Sequence, residues 1–175
     1  MTIWLTGLPC SGKSTLAEAL EARLRSMGRR VELLDGDVVR THLSKGLGFS
    51  REDRETNIRR VGWVCELLNR HGVVAIAALV SPLRHARDEV RQRVPSFVEV
   101  YVRCPLETCV QRDVKGLYAS ALRGETPAFT GVSDPYEEPL HPEVVVDTHT
   151  RTVDECVHQI LDAMVSVDRL NPHPG

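Results

Sequence analysis

Residues 7 to 14, Gly7-Leu8-Pro9-Cys10-Ser11-Gly12-Lys13-Ser14, constrain the fold more than any other stretch of the chain. They match the phosphate-binding pattern G-x-x-x-x-G-K-[ST] at every fixed position. The flanks match as well. Thr2-Ile3-Trp4-Leu5-Thr6 reads as a short buried strand, and Leu16, Leu20, Leu24 and Met27 form an apolar stripe at helical spacing. Glycines at 7 and 12 let the backbone curl so that its N–H groups point at a phosphate chain. The following helix N-terminus adds partial positive charge. Lys13 supplies a full charge near the β- and γ-phosphates, and the Ser14 hydroxyl can ligate Mg²⁺. A glycine-rich turn before a helix is the bland alternative. The four fixed positions and both flanks favour a nucleoside triphosphate site.

The rest of the chain reads as one α/β domain over residues 1–170, followed by a frayed tail at 171–175. Strands are expected near 30–35, 73–80, 97–102 and 143–146. Helices are expected near 13–27, 51–70, 85–93, 106–112 and 152–167. The run 73–80 is unbroken and apolar, which suits a central parallel strand covered on both faces. Ser50 is the candidate N-cap of the 51–70 helix, whose Ile58, Val61, Cys65 and Leu68 share one face. Alternating strands and helices predict a three-layer P-loop NTPase fold with a mainly parallel sheet of about five strands. Ligands in such sheets bind beyond the carboxyl ends of the strands. Gly7, Asp35 and Ser81 all follow strand ends, so they should face one crevice. Residues 113–142 are dense in glycine and proline with weak periodicity; a lid is expected there, a surface loop being the alternative.

Charge and cysteine content narrow the partners. A formal net charge of −2 and the lack of a basic stripe argue against a nucleic-acid-dependent ATPase. No apolar run approaches membrane-spanning length, and the first strand opens at once, so neither a membrane segment nor a signal peptide is expected. Five cysteines, odd in number and without CxxC spacing, read as free cytoplasmic thiols. A GTP-binding switch would want an Asn-Lys-x-Asp element, which the sequence lacks.

Beyond Asp35 an ordered set of motifs appears. Asp35-Gly36-Asp37-Val38-Val39-Arg40 is followed by Leu47-Gly48-Phe49-Ser50 and by Asp53-Arg54-Glu55-Thr56-Asn57-Ile58-Arg59-Arg60. Val80-Ser81-Pro82, Arg112-Asp113-Val114-Lys115-Gly116-Leu117-Tyr118, Phe129-Thr130-Gly131 and Asp134-Pro135-Tyr136-Glu137 come later. Together these resemble adenylylsulfate (APS) kinases over most of the chain. The resemblance implies transfer of the γ-phosphoryl of ATP to the 3′-hydroxyl of adenosine 5′-phosphosulfate (APS), giving 3′-phosphoadenosine 5′-phosphosulfate (PAPS) and ADP in sulfate assimilation. It also implies Mg²⁺ as cofactor and a homodimer. Residues 7 to 15, including Thr15, would hold ATP, with Arg112 as a lid arginine over the phosphates. Asp35, Asp37, Arg40, Phe49, Arg54, Asn57, Ile58, Val80, Ser81, Lys115 and Phe129 would hold APS. The resemblance further implies Phe49 and Phe129 stacking on the substrate adenine, and Ser81 as a phosphoserine.

The chemistry of these residues is compatible with such a substrate. Arg40, Arg54 and Arg59 are fork-shaped donors for anionic oxygens, and Asn57 can bond base or phosphosulfate groups. Phe49 is alternatively a staple at a helix start, and a solvated helix face is the alternative for Arg59 and Arg60, favoured for at least one of them. Asp35 and Asp37 read as a polar turn, or as one carboxylate near Mg²⁺ or its waters and one accepting the substrate's proton. Asp37 is taken as the base and Asp35 with Ser14 as the metal side. Direct in-line transfer makes Ser81 a substrate contact, and a Ser-Pro turn is its structural alternative. Pro9-Cys10-Ser11 and residues 123–128 depart from the family's usual sequence. The runner-up is another P-loop small-molecule hydroxyl kinase, acting on a nucleoside or an antibiotic.

Overall fold

The computed structural model describes residues 1–170; the tail expected at 171–175 lies outside them. Five strands form one sheet: β1 (Thr2–Thr6), β2 (Val31–Asp35), β3 (Val74–Ala78), β4 (Phe97–Arg103) and β5 (Val144–Asp147). Their order is β2-β3-β1-β4-β5, and every neighbouring pair is parallel. This is the architecture expected from the strand–helix alternation.

Side chains along the strands divide between two cores with period two. Ile3 and Leu5 of β1 and Val74, Ile76 and Ala78 of β3 face one side. There they meet Leu16, Leu20 and Leu24 of α1 (Lys13–Ser26) and Val157, Ile160 and Met164 of α7 (Val153–Leu170). Trp4, Ala75 and Ala77 face the other side, against Ile58, Val61 and Cys65 of α3 (Arg51–Arg70) and Ala86 and Val90 of α4 (Arg84–Arg93). Apolar burial on both faces is the main stabilising contribution, about 25 cal/mol per Å² of apolar surface removed from water. The Ser50 hydroxyl accepts from the Asp53 N–H at 3.1 Å, so α3 starts at the expected cap.

Three differences from the sequence reading bear on the site. First, the pairing of β3 ends at Ala78, not at residue 80. Ser81 takes a left-handed backbone (φ 39°) before Pro82, and Thr6 Oγ1 donates to the Val80 carbonyl at 2.8 Å where a strand neighbour would otherwise bond it. Second, Asp35-Gly36-Asp37 is not a plain turn. The Asp35 carboxylate accepts from Asp37 N–H at 2.9 Å and caps α2 (Gly36–His42). Third, α5 (Leu106–Arg112) is followed, inside the stretch read as irregular, by α6 (Leu117–Leu122). The Asp113 carboxylate accepts from the N–H groups of Tyr118 (3.0 Å) and Ala119 (2.9 Å) and fixes the start of α6. A third apolar cluster, Cys104, Cys109, Tyr118, Ala121 and Phe129, lies under α6.

Candidate active site

The carboxyl ends of β1, β2 and β3 open into a cavity of about 800 Å³. From the phosphate loop, Pro9, Cys10, Gly12, Lys13, Ser14 and Thr15 line it. Gly7, Leu8 and Ser11 lie behind the lining. A Cβ on Gly7 would sit 2.5 Å from the Val102 carbonyl, so only glycine lets the loop leave β1 here. Gly12, at φ 96°, takes the left-handed turn that starts α1. Ser11 is fully buried, and its carbonyl accepts from Thr148 Oγ1 at 2.7 Å.

Lys13 curls back over the loop. Its ammonium donates to the carbonyls of Leu8 (2.6 Å) and Gly7 (3.0 Å) and approaches Ser11 Oγ (3.4 Å). Burial lowers its pKa to about 8; desolvation disfavours the charged form. Ser14 Oγ donates to Asp35 Oδ2 at 2.7 Å, so the hydroxyl and carboxylate that suit a hard cation already meet. Among the described residues there is no cluster of three or more His, Cys, Asp or Glu side chains able to hold a metal. One hydroxyl and one carboxylate fit Mg²⁺, which keeps waters and relies on substrate phosphates for the rest of its shell.

The far wall is built by α2, α3 and the segment around residue 129. Arg40, Phe49, Arg54, Asn57, Ile58, Val80, Ser81, Lys115 and Phe129 all line the cavity with Asp35, Asp37 and Arg112. The Arg40 guanidinium lies 4.3 Å from the Phe49 ring centroid and donates to the Gly48 carbonyl at 3.0 Å. Phe49 is 54% exposed, so it is no buried helix staple. Arg54 is buried. It donates to the Phe49 carbonyl (2.8 Å), to Thr130 Oγ1 and to the Ala128 carbonyl, with Asp134 at 3.7 Å. Arg54 therefore ties the start of α3 to the 128–134 turn. Burial lowers the pKa values of Arg40 and Arg54, and Arg54 also lowers that of Arg40. Asn57 is buried too, and its Oδ1 has no hydrogen-bond partner among the described residues. A buried amide oxygen without a protein partner is rare, and this one is open to a donor from the cavity.

Lys115 pairs with the Asp37 carboxylate, and this contact raises the lysine pKa. Arg112 donates to the Thr148 carbonyl at 2.7 Å and closes the wall toward α7. Ser81 is buried, and its Oγ accepts from Trp4 Nε1 at 3.0 Å and donates to the Leu79 carbonyl at 3.4 Å.

One reading gains a second role and one needs correction. Phe129 is 9% exposed and packs edge-on against Tyr118 at 5.1 Å, so it belongs to a core cluster as well as to the cavity. Arg59 does not line the cavity; it pairs with Glu89 (2.8 Å) and Glu55 (3.3 Å) across α3 and α4. The sequence reading also missed Thr148, Arg151, Thr152 and Val153 on the wall. The strand-end rule that selected Asp35 would have found them, because they follow β5.

A phosphate loop facing a second basic and aromatic wall across one cavity defines a P-loop kinase of small molecules. The profile of the family described as adenylylsulphate kinase matches residues 1–147, and the chain belongs to that family. An adenylyl-sulfate kinase of Gloeothece citriformis is 57% identical over 161 residues, covering 92% of each chain. The structure of the Mycobacterium tuberculosis APS kinase in complex with AMPPNP and APS superposes with a TM-score of 0.90. It is 38% identical, covering 94% of this chain and 96% of that one. A hexameric APS kinase from Thiobacillus denitrificans superposes at 0.71 with 38% identity, covering 94% of this chain and 28% of that one.

Proposed function

We propose that the protein phosphorylates the 3′-hydroxyl of APS with ATP, giving PAPS and ADP for sulfate assimilation. The observation that carries the reading is the single cavity. The phosphate loop forms one wall, and Arg40, Phe49, Arg54, Asn57 and Phe129 form the other. A triphosphate on the loop would draw Lys13 from its carbonyl partners onto the β- and γ-phosphates, where its charge stabilises the transferring group. Gly12 and the start of α1 offer further N–H donors. Mg²⁺ would be held by Ser14 and Asp35, and supplies charge neutralisation between the phosphates. Asp37 would accept the proton of the attacking hydroxyl once Lys115 turns to the substrate's anionic end. Arg40 and Arg54 face that end, Phe49 and Phe129 the adenine, Ile58 and Val80 its apolar edges, and the Asn57 amide a ligand donor. Arg112 would reach the ATP phosphates when residues 113–142 close as a lid.

Transfer is direct and in line. The Ser81 hydroxyl accepts from the Trp4 indole and approaches the Leu79 carbonyl, which supports Ser81 as a substrate contact that shapes the wall over a phospho-carrier. We place the reaction in the cytoplasm, consistent with the five free cysteines among the described residues. No described helix is long and apolar enough to cross a membrane. A homodimer is our proposal for the assembly, which light scattering would test. An assay with ATP, APS and Mg²⁺ that resolves PAPS from ADP tests the function. PAPS formation is the expected result. ATP turnover with a nucleoside or an antibiotic in place of APS, and none with APS, would overturn it.

A further inference from the structure

Between the 113–142 segment and the phosphate loop stands a side chain that lines neither wall. Tyr118, on α6, is fully buried. Its hydroxyl donates to the Pro9 carbonyl of the phosphate loop at 3.0 Å, across 109 residues of sequence. Its ring receives Phe129 edge-on, with centroids 5.1 Å apart and planes at 76°. The same cluster holds Leu8 of the loop. Leu8 fits beneath Gly131, where a Cβ would come within 2.9 Å of Leu8 Cδ2. One buried aromatic side chain therefore touches a peptide of the ATP-facing wall and a ring of the APS-facing wall.

The geometry of the peptide makes this contact directional. The Pro9–Cys10 peptide is trans, as every peptide bond described here is. In a planar trans peptide the N–H points opposite to the C=O. Holding the Pro9 carbonyl on the Tyr118 side directs the Cys10 N–H to the other side, where phosphate would lie. Cys10 itself is left-handed, at φ 59°, a conformation that costs a non-glycine residue energy and needs support from its surroundings. The Tyr118 hydroxyl is part of that support. The α6 start that carries Tyr118 is fixed in turn by the Asp113 carboxylate.

We infer that Tyr118 is a positioning residue that couples the two nucleotide sites. It sets the Pro9–Cys10 peptide through its hydroxyl and the Phe129 ring through its face-to-edge contact. The inference rests on the reading of the cavity as an ATP and APS site. Occupying the loop orders the Pro9–Cys10 peptide, which orders Tyr118 and then Phe129. The second nucleotide then loses less freedom on binding, so coupling is positive without a large movement. Linkage requires the effect to be the same in both directions.

Tyr118→Phe removes one oxygen and leaves the ring against Phe129. Calorimetry would give the dissociation constant of AMPPNP with and without APS, and of APS with and without AMPPNP. In the unchanged protein each nucleotide should tighten the other by one common factor. In Tyr118→Phe that factor should fall about three- to tenfold in both orders, the worth of one hydrogen bond. Phe129→Leu should lower it too. Its direct loss of stacking cancels in the ratio, so it carries the test if Tyr118→Phe does not fold. A lowered melting temperature with an undiminished coupling factor would show a merely structural role and overturn the inference. So would independent binding of the two nucleotides in the unchanged protein. Failure of the unchanged protein to bind APS at all would instead remove the functional reading, and this inference with it.

Discussion

Replacing Phe49 and Phe129 separately by alanine should give two different outcomes. Phe49 is 54% exposed, and its main partner is the Arg40 guanidinium 4.3 Å from the ring centroid. An exposed cation–π contact is worth about 0.5–1 kcal/mol. For a domain of this size each kcal/mol moves the melting temperature by about 2–4 °C. Phe49→Ala should therefore melt within about 4 °C of the parent. Base–aromatic stacking is worth about 1–3 kcal/mol per base, so its APS dissociation constant should rise about five- to a hundredfold. Phe49→Trp keeps a π-face and should retain most of the affinity. Phe129 is 9% exposed and packed in the Tyr118 cluster. Truncating a buried phenylalanine costs about 3–5 kcal/mol, so Phe129→Ala should melt about 10 °C lower and also bind APS more weakly. Scanning calorimetry and APS titration on the same two proteins provide both readings. A 10 °C loss in Phe49→Ala with unchanged APS affinity would make Phe49 a packing residue and refute the stacking role. An unshifted melting temperature in Phe129→Ala would refute its place in the core.

Lys13→Ala should lower turnover about 10²–10³-fold with little change in melting temperature, because it removes the charge at the transferring phosphoryl group; single-turnover kinetics would measure it. The free Lys13 ammonium loses its proton as pH rises through about 8. The charged, phosphate-binding form predominates below that pH, so ATP affinity should fall about tenfold between roughly pH 7 and pH 9. Lys13→Arg should flatten that profile in ATP titrations. Arg54→Ala should raise the KM for APS more than that for ATP, since Arg54 holds the Phe49 carbonyl and the 128–130 turn. Arg54→Lys should rescue little, because one ammonium cannot reproduce a fork of donors; a matching loss for both nucleotides would point to a general folding defect. Removing divalent cations with a chelator should abolish PAPS formation, and adding Mg²⁺ should restore it.

The outline of the fold was legible because its signals are local. The phosphate loop is a run of eight residues, the strand at 74–78 is apolar on both faces, and the α3 stripe from Ile58 to Leu68 repeats over about three turns. The two helices that escaped notice are seven and six residues long, too short for a periodic stripe; α5, equally short, follows Pro105, which marks a helix start. Asp-Gly at the start of α2 also carries turn chemistry. Within the site, the strand-end rule placed Asp35 and Ser81 on one cavity, while Gly7, expected to face it too, lies behind the lining because its backbone abuts the Val102 carbonyl. Three determining contacts had no local pattern. Arg54 reaches Thr130 across 76 residues, Tyr118 reaches Pro9 across 109, and Arg112 reaches Thr148 across 36. Arg59 misled because fork-shaped donors also suit carboxylates, and α4 supplies Glu89 while α3 supplies Glu55.

Lys13 is its own competitor. Its ammonium rests on the Gly7 and Leu8 carbonyls, so an arriving anion must displace two existing acceptors before it gains the charge. A single sulfate or phosphate offers one point of exchange. A triphosphate offers the ammonium a new seat while engaging the loop amides and the cation at the same time. The self-seated lysine thus holds the loop in shape, and a ligand that meets the ammonium, the loop amides and a cation together gains more from the exchange than a single anion does.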